Sequence, residues 1–384
     1  MQTLPAVTAS ALASSPLDRG GDRTPVVRVD TAEVARQHAL LTAALPGVRL
    51  HYAVKANPAH QVLRTLAELG CRWDVASPGE IDAVLCAGGD PADMSYGNTV
   101  KRAADIAYAF AAGVRRFTFD AVGELNKLTE HAPGSTVMVR ISTSGAGADW
   151  ALGGKFGCPP DVAARLLEQA VRAGHRVGVA FHVGSQQRDP QAWDEPLATT
   201  SALRRVVRAC GADLAVVDLG GGLPASTLEP TRGLADYGAA ITASLHRHLG
   251  PDLPEVMAEP GRAMVADAGT LDTEVVLVSE RSGVPWVYLD AGVFTGLVET
   301  VGEAIRYRIE ALRDGAPLLG PTRPVVLAGP TCDSLDVLYA EHRYPLPADL
   351  RPGDRLRLHS AGAYTASYST IGFNGFAPLR EEFR

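Results

Sequence analysis

VRLHYAVKANPAHQVLRTLAELGCRWDVAS, residues 48–77, reads as strand, helix, strand. Val48–Val54 and Arg72–Ala76 are rich in β-forming residues. Gln61–Leu69 between them is helical and stops at Gly70, a common helix terminator. The same unit recurs downstream. Further strands are predicted near Met94–Tyr96, Arg116–Phe119, Thr136–Ile141, Val177–His182, Leu214–Asp218 and Glu255–Glu259. The helices between them are expected at Gly79–Ala87, Ala103–Ala112, Gly123–His131, Asp161–Ala173, Leu203–Ala212 and Tyr237–Leu249. Eight strands with helical crossovers over about 230 residues predict a (β/α)8 barrel spanning residues 31–265. An open doubly wound sheet competes with it, but such sheets usually change topology after fewer units. Beyond Val265 the helical rhythm ends. Thr270–Ser279, Trp286–Leu289, Val325–Leu327 and Arg355–Leu358 read as strands with turn-rich links, so residues 266–384 are expected to form a mostly antiparallel β domain. Residues 1–30 read as a lead-in whose Val26–Val29 is a possible strand of that domain.

Composition narrows the function classes. The 384 residues are 46% hydrophobic and 21% charged, a globular balance, and the net charge is −7. An acidic chain lacks the electrostatic footprint of a nucleic-acid binder, which points to small molecules or further copies of itself as partners. No apolar run approaches the roughly 18–20 residues that span a bilayer. The opening MQTLPAVTASALASSPLDRG has neither a basic start nor a compact apolar core, which argues against a signal peptide. Five scattered cysteines, Cys71, Cys86, Cys158, Cys210 and Cys332, show no zinc spacing and no disulfide framework, so a reduced cytoplasm is expected. Only four of the 36 basic residues are lysines: Lys55, Lys101, Lys127 and Lys155. The bias reflects a preference for arginine. It also matters chemically, because lysine can condense with an aldehyde and arginine cannot.

Barrel chemistry sits at the C-terminal ends of the strands. The first strand ends in YAVKANP and delivers Lys55 beside Ala53 and Val54, apolar walls that are expected to lower its pKa and free the amine. The second ends in WDVASPGE with Asp74, Ser77 and Glu80, a pattern that read alone is helix capping. Arg140 closes the fifth. FHVGSQ closes the sixth with His182 and Ser185, and DLGGGLP closes the seventh with Gly220, Gly221 and Gly222. The eighth ends in AEPGR, with Glu259, Gly261 and Arg262. Each piece has a bland reading, but together they place a lysine, a histidine, a glycine anion cradle and a glutamate at one mouth. Pyridoxal 5'-phosphate needs that set: an amine for its aldehyde, a group against its ring, phosphate donors, and an acid beside its pyridine nitrogen.

YAVKANP, WDVAS, FHVGSQ, DLGGGLP, EPGR, GPTCDSLD (329–336), GAYT (362–365) and FNGF (373–376) occur in that order. The series, running from about Pro25 to Phe376, resembles the pyridoxal-phosphate decarboxylases of the alanine-racemase-like fold, and within them the ornithine/lysine decarboxylase branch. The resemblance implies a barrel plus β domain and a homodimer with active sites shared across the interface. It implies that Lys55 binds the cofactor aldehyde, His182 stacks on the ring and Glu259 partners the pyridine nitrogen. Ser185, Gly221, Gly222, Gly261, Arg262 and Tyr364 would surround the phosphate, with Asp74 near Lys55 and Arg140 supporting that cluster. Cys332 and Asp333 would arrive from the partner subunit, Cys332 to protonate the α-carbon and Asp333 to bind the substrate's distal amine. Phe373 would pack at the dimer interface and line the substrate site.

The sister diaminopimelate branch usually carries Cys-Glu where Cys332-Asp333 stands, so a distal amine is expected over a distal amino-acid group. A second carboxylate for that amine is sought in GVFTGLVETVGEAIRY (292–307). Glu303 is the expected residue, and Glu299, one helical turn earlier, reads as a solvated helix face. The function expected is decarboxylation of L-ornithine to putrescine or L-lysine to cadaverine. The alternatives are another basic or modified amino acid, as in siderophore or antibiotic assembly, and a non-catalytic cofactor-binding decoy.

Overall fold

The computed structural model describes residues 23–384, so the expected lead-in MQTLPAVTASALASSPLDRG lies outside the described residues. Strand β1 (Val26–Val29) enters helix α1 (Thr31–Ala44), whose N-terminus is capped by the Asp30 carboxylate accepting from the Ala32 and Glu33 amides. The barrel strands follow: β2 (Arg49–Ala53), β3 (Arg72–Val75), β4 (Met94–Tyr96), β5 (Arg116–Phe119) and β6 (Thr136–Arg140). A short β7 (Ala148–Trp150) pairs antiparallel with β9 (Ser185–Gln187) outside the barrel wall. Strands β8 (Arg176–Ala180), β10 (Leu214–Asp218) and β11 (Glu255–Ala258) complete it. The parallel strands close in the order β10-β11-β2-β3-β4-β5-β6-β8. Helices α2 (His60–Glu68), α3 (Pro78–Cys86), α4 (Ala103–Ala112), α5 (Val122–His131), α6 (Pro160–Arg172), α7 (Asp194–Ala209) and α8 (Leu234–Leu249) link successive strands, and a single turn α9 (Arg262–Val265) leaves the last.

The strand ends match the reading from sequence to within two residues. Helix α1 was not anticipated, because it buries only Val34, Gln37 and Leu41 and so carries a thin apolar stripe. Helix α7 starts nine residues before the expected Leu203; Pro196 in its first turn disguises a start at which its missing N–H costs nothing. Inside the barrel Met138, Ala180, Val216 and Met257 form a separate buried cluster, and Gly178 lets β10 approach so closely that an added Cβ would strike Val216. This plug fills the middle of the barrel, and a cavity opens beyond it where the strands end.

The second unit is a nine-stranded sheet. Strands β12 (Gly269–Arg281), β13 (Val284–Leu289), β14 (Ile309–Arg313), β15 (Ala316–Pro317), β16 (Thr322–Ala328), β17 (Val337–Pro347) and β18 (Arg355–His359) run in the order β15-β14-β18-β12-β13-β16-β17. Pairing is antiparallel except between β13 and β16 and between β1 and β19 (Arg380–Phe383). β1 pairs with both β12 and β19, so the N-terminal strand belongs to this sheet. β14, β15, β17 and β19 were not anticipated. In β17 and its partner β16, Pro345 stands opposite Pro324; residues without an N–H argue against strand when read from sequence, yet here they face each other across a ladder that shifts register. Among the described residues no helix is long and apolar enough to cross a membrane.

Candidate active site

One cavity of about 570 Å³ opens at the C-terminal mouth of the barrel. Lys55 reaches it from the single 3-10 turn Val54–Ala56 that ends β2, and Asp74 from β3, whose register sets Asp74 beside Ala53. Lys55 Nζ donates to Asp74 Oδ2 at 2.9 Å. The Lys55 side chain keeps 48% of its surface because it projects into the cavity, whereas Asp74 is buried. Burial alone disfavours the ammonium ion, but the Asp74 carboxylate, with Tyr364 and Glu259, outweighs it and raises the Lys55 pKa. The expectation of an amine freed by apolar walls is therefore corrected: the neighbourhood is anionic, and Lys55 is held as a cation.

Glu259 follows β11. Its Oε1 is buried with no hydrogen-bond partner, as is Asp74 Oδ1. Burial, reinforced by Asp218 and Asp74, raises the Glu259 pKa well above the carboxylate range. Asp218, the last residue of β10, is pushed up to about 7, chiefly by burial. These acids are packed so tightly that a Cβ at Gly97 would overlap Asp74 Oδ1 and crowd Glu259. His182 is held neutral, its pKa lowered to about 3 by burial and by Arg140 and Lys55. Its Nδ1 accepts from the Gly184 amide at 3.0 Å, so the ring proton is assigned to Nε2. The ring lies against Gly221, where an added Cβ would sit 2.9 Å from Nε2.

Another part of the cavity wall is built for an anion. Gly220 (φ +64°) and Gly222 (φ +113°) adopt left-handed backbone that glycine tolerates, and Gly221, Gly222 and Gly261 all line the wall. Arg262 Nη2 donates to Ser185 Oγ at 3.1 Å, and the guanidinium lies 5.1 Å from the centre of the Tyr364 ring. Tyr364 comes from the β domain. Its backbone N–H donates to Ala56 O at 2.8 Å, beside Lys55, and its hydroxyl occupies the space a Cβ at Gly261 would need.

Lys55, Asp74, Arg140, His182, Ser185, Gly221, Gly222, Glu259, Gly261, Arg262 and Tyr364 thus line one cavity. Cys332, Asp333, Glu303 and Phe373 do not. Cys332 is exposed, with Sγ 3.4 Å from Asn374 Oδ1, and Asp333 caps its own turn by accepting from the Leu335 amide. Phe373 packs on Phe294 with ring centres 4.4 Å apart. Glu303 requires a correction: its carboxylate accepts from the backbone amides of Ala340, Glu341 and His342 on β17, bonds that hold it away from the cavity. Glu299, read from sequence as solvated, is buried and bonded to Arg262 in the cavity wall. Trp150, Leu152 and Phe156, on the segment around β7, also line the cavity and carried no motif. Asp218 had a signal in its place before the glycine run.

An amine that an aldehyde can join, a buried carboxylate nearby with one oxygen unpartnered, a flat neutral imidazole and a glycine-arginine cradle fit pyridoxal phosphate. The comparisons agree. The family profile "Pyridoxal-dependent decarboxylase, pyridoxal binding domain" matches residues 31–266. A lysine/ornithine decarboxylase of Selenomonas ruminantium is 34% identical over 356 residues, covering 92% of this chain and 88% of that one. The structure of a Vibrio vulnificus lysine/ornithine decarboxylase complexed with cadaverine superposes with a TM-score of 0.84 at 33% identity, covering 94% of each chain. The arginine decarboxylase of Paramecium bursaria Chlorella virus gives a TM-score of 0.86 at 30% identity, covering 94% of this chain and 96% of that one. With its whole barrel matched by that profile, and relatives aligned along nine-tenths of its length, the chain belongs to the pyridoxal-dependent decarboxylases, enzymes whose cofactor is pyridoxal phosphate.

Proposed function

We propose that the protein decarboxylates a basic L-amino acid, L-ornithine or L-lysine, releasing putrescine or cadaverine, and that it works as a homodimer with shared sites in the cytoplasm. The observation that carries the reading is the Lys55–Asp74 pair packed beside Glu259, whose buried Oε1 has no hydrogen-bond partner. The names of similar relatives support the substrate class. The five unpaired cysteines support a reducing compartment.

When bound, the cofactor supplies an electron sink for the pair left behind as carbon dioxide departs. The residues do the rest. An aldehyde bonds only to a free amine, so the Lys55 ammonium, which Asp74 stabilises at 2.9 Å, must first release a proton to solvent, which reaches its half-exposed side chain. Glu259, whose burial favours holding a proton, would bring that proton to the ring nitrogen and, once ionised, stay beside it as its counter-ion. His182, neutral and flat, would lie on the ring face without adding charge. Arg262, Ser185 and the glycine amides would hold the phosphate.

Proton return and substrate selection are assigned to Cys332 and Asp333 of the partner subunit. Supporting this, both residues are exposed and neither lines the cavity of its own chain. The chain at Leu335 and around Asn374, which bonds Cys332, carries the exposed apolar residues Leu335, Ile371 and Phe376. A carboxylate is needed there, because a distal ammonium removed from water without a counter-ion costs several kcal/mol. The test is a decarboxylation assay on ornithine, lysine, arginine, diaminobutyrate and diaminopimelate with products identified by mass. Putrescine or cadaverine is the expected main product. Another amine would reassign the substrate, and bound cofactor with no carbon dioxide from any of them would mark a decoy.

A further inference from the structure

We propose that Glu299 is a positioning residue that sets how tightly the site holds its cofactor, by competing with the phosphate for Arg262. The inference rests on the reading that the Arg262 end of the cavity receives the phosphate. Arg262 and Glu299 are buried to nearly the same degree, with side chains 4% and 5% exposed, and Nη2 donates to Glu299 Oε1 at 2.5 Å. The same Nη2 also bonds Ser185 Oγ, so one nitrogen serves both the phosphate-side hydroxyl and the internal carboxylate. The pair is incompletely satisfied: Arg262 Nε and Glu299 Oε2 are both buried without a partner. A guanidinium fully committed to an internal carboxylate would have its remaining donors occupied; here an unused donor is left over.

Glu299 is also held in place. It rides on the short 3-10 segment Val298–Glu303 of the β domain. Its backbone carbonyl accepts from Ile305 N–H at 3.0 Å, and the far end of the segment is tied to β17 through the Glu303 carboxylate. The backbone that carries this carboxylate is therefore anchored on both sides, and the carboxylate itself is held in the wall by Arg262. A phosphate dianion arriving at this end meets a cation already neutralised, with a second anion fixed beside it, in a place where water screens neither. The attraction of Arg262 for the phosphate is reduced by design, and the cofactor is correspondingly exchangeable.

The test compares Kd for pyridoxal phosphate with Kd for unphosphorylated pyridoxal on full-length protein freed of cofactor, read by absorbance of the bound aldehyde. Glu299→Gln keeps the size and still accepts from Arg262, so only the charge is lost. It should tighten pyridoxal phosphate roughly tenfold while leaving pyridoxal within about twofold. Glu299→Ala, a second way of removing the charge, should raise the same pyridoxal-to-phosphate Kd ratio even if both affinities fall. Glu299→Asp, which keeps the charge, should leave the ratio near wild type. An unchanged or lowered ratio in the Gln and Ala variants overturns the inference, as does an Asp variant that raises the ratio as much as Gln. Wild-type protein that binds neither vitamer through Lys55 removes the site reading itself, and this inference with it.

Discussion

Lys55 shows how a single charged neighbour reverses an argument from local sequence. Ala53 and Val54 suggested a depressed pKa, but β3 sets Asp74 against the ammonium and the pKa rises. Asp74→Asn should lower the Lys55 pKa and shift covalent capture of the cofactor aldehyde to lower pH, followed by absorbance across a pH series; an unmoved profile would separate Asp74 from the Lys55 proton. The buried histidines make a second prediction. His51 is fully buried on β2 with Nε2 unpartnered, and burial lowers its pKa to about 3. The folded chain therefore binds fewer protons than the unfolded chain between about pH 3 and 6.5, and stability rises with pH across that window and is lost on acidification. Relative to wild type, His51→Gln should gain roughly 2 kcal/mol between pH 7 and pH 5, measured by urea unfolding at both. The same difference at both pH values would mean that His51 does not stay neutral when folded.

At the scale of elements, loops carry residues whose task is to hold other elements. Glu303 joins the 3-10 segment to β17 by accepting from backbone amides, and such charge-assisted bonds are worth more than neutral ones. Glu303→Ala should lower unfolding stability by about 2–3 kcal/mol, with no KM change confined to substrates bearing a distal amine. A selective KM rise for ornithine or lysine at unchanged stability would restore it to the substrate site. Gly97, after β4, is needed for close approach: its missing side chain leaves the room that Asp74 and Glu259 occupy. Gly97→Ala should displace Asp74 and lower cofactor affinity at least tenfold, measured by equilibrium titration.

The whole molecule is organised so that each active site needs more than the barrel. The cavity already draws Tyr364 and Glu299 from the β domain, while Cys332 and Asp333 lie outside it on an exposed, partly apolar surface. If sites are shared in a homodimer, Lys55→Ala and Cys332→Ala proteins, each nearly inactive alone, should recover about a quarter of wild-type activity when mixed and allowed to exchange subunits. Ile371→Arg, on the same surface and 88% exposed in the single chain, should produce monomers by sedimentation and lose activity with them. Recovered activity that stays at the level of the single variants would put all catalytic groups within one chain.

Much of this was legible from the chain alone. The barrel strands were readable because each short β-rich run is mostly buried and bounded by helix stops, so local composition and burial coincide. The strand-end motifs were readable because chemistry demands particular residues at fixed places on that frame. What sequence could not settle were choices made between segments far apart in the chain. Pro324 and Pro345 read as breakers until β16 and β17 face each other. Glu299 and Glu303 are four residues apart in one short segment, yet one turns to Arg262 in the barrel and the other to the amides of β17. Local pattern assigns a residue to a strand or a turn, but a carboxylate's partner is whichever cation or amide the folded chain places within reach of it, and that is decided only by packing.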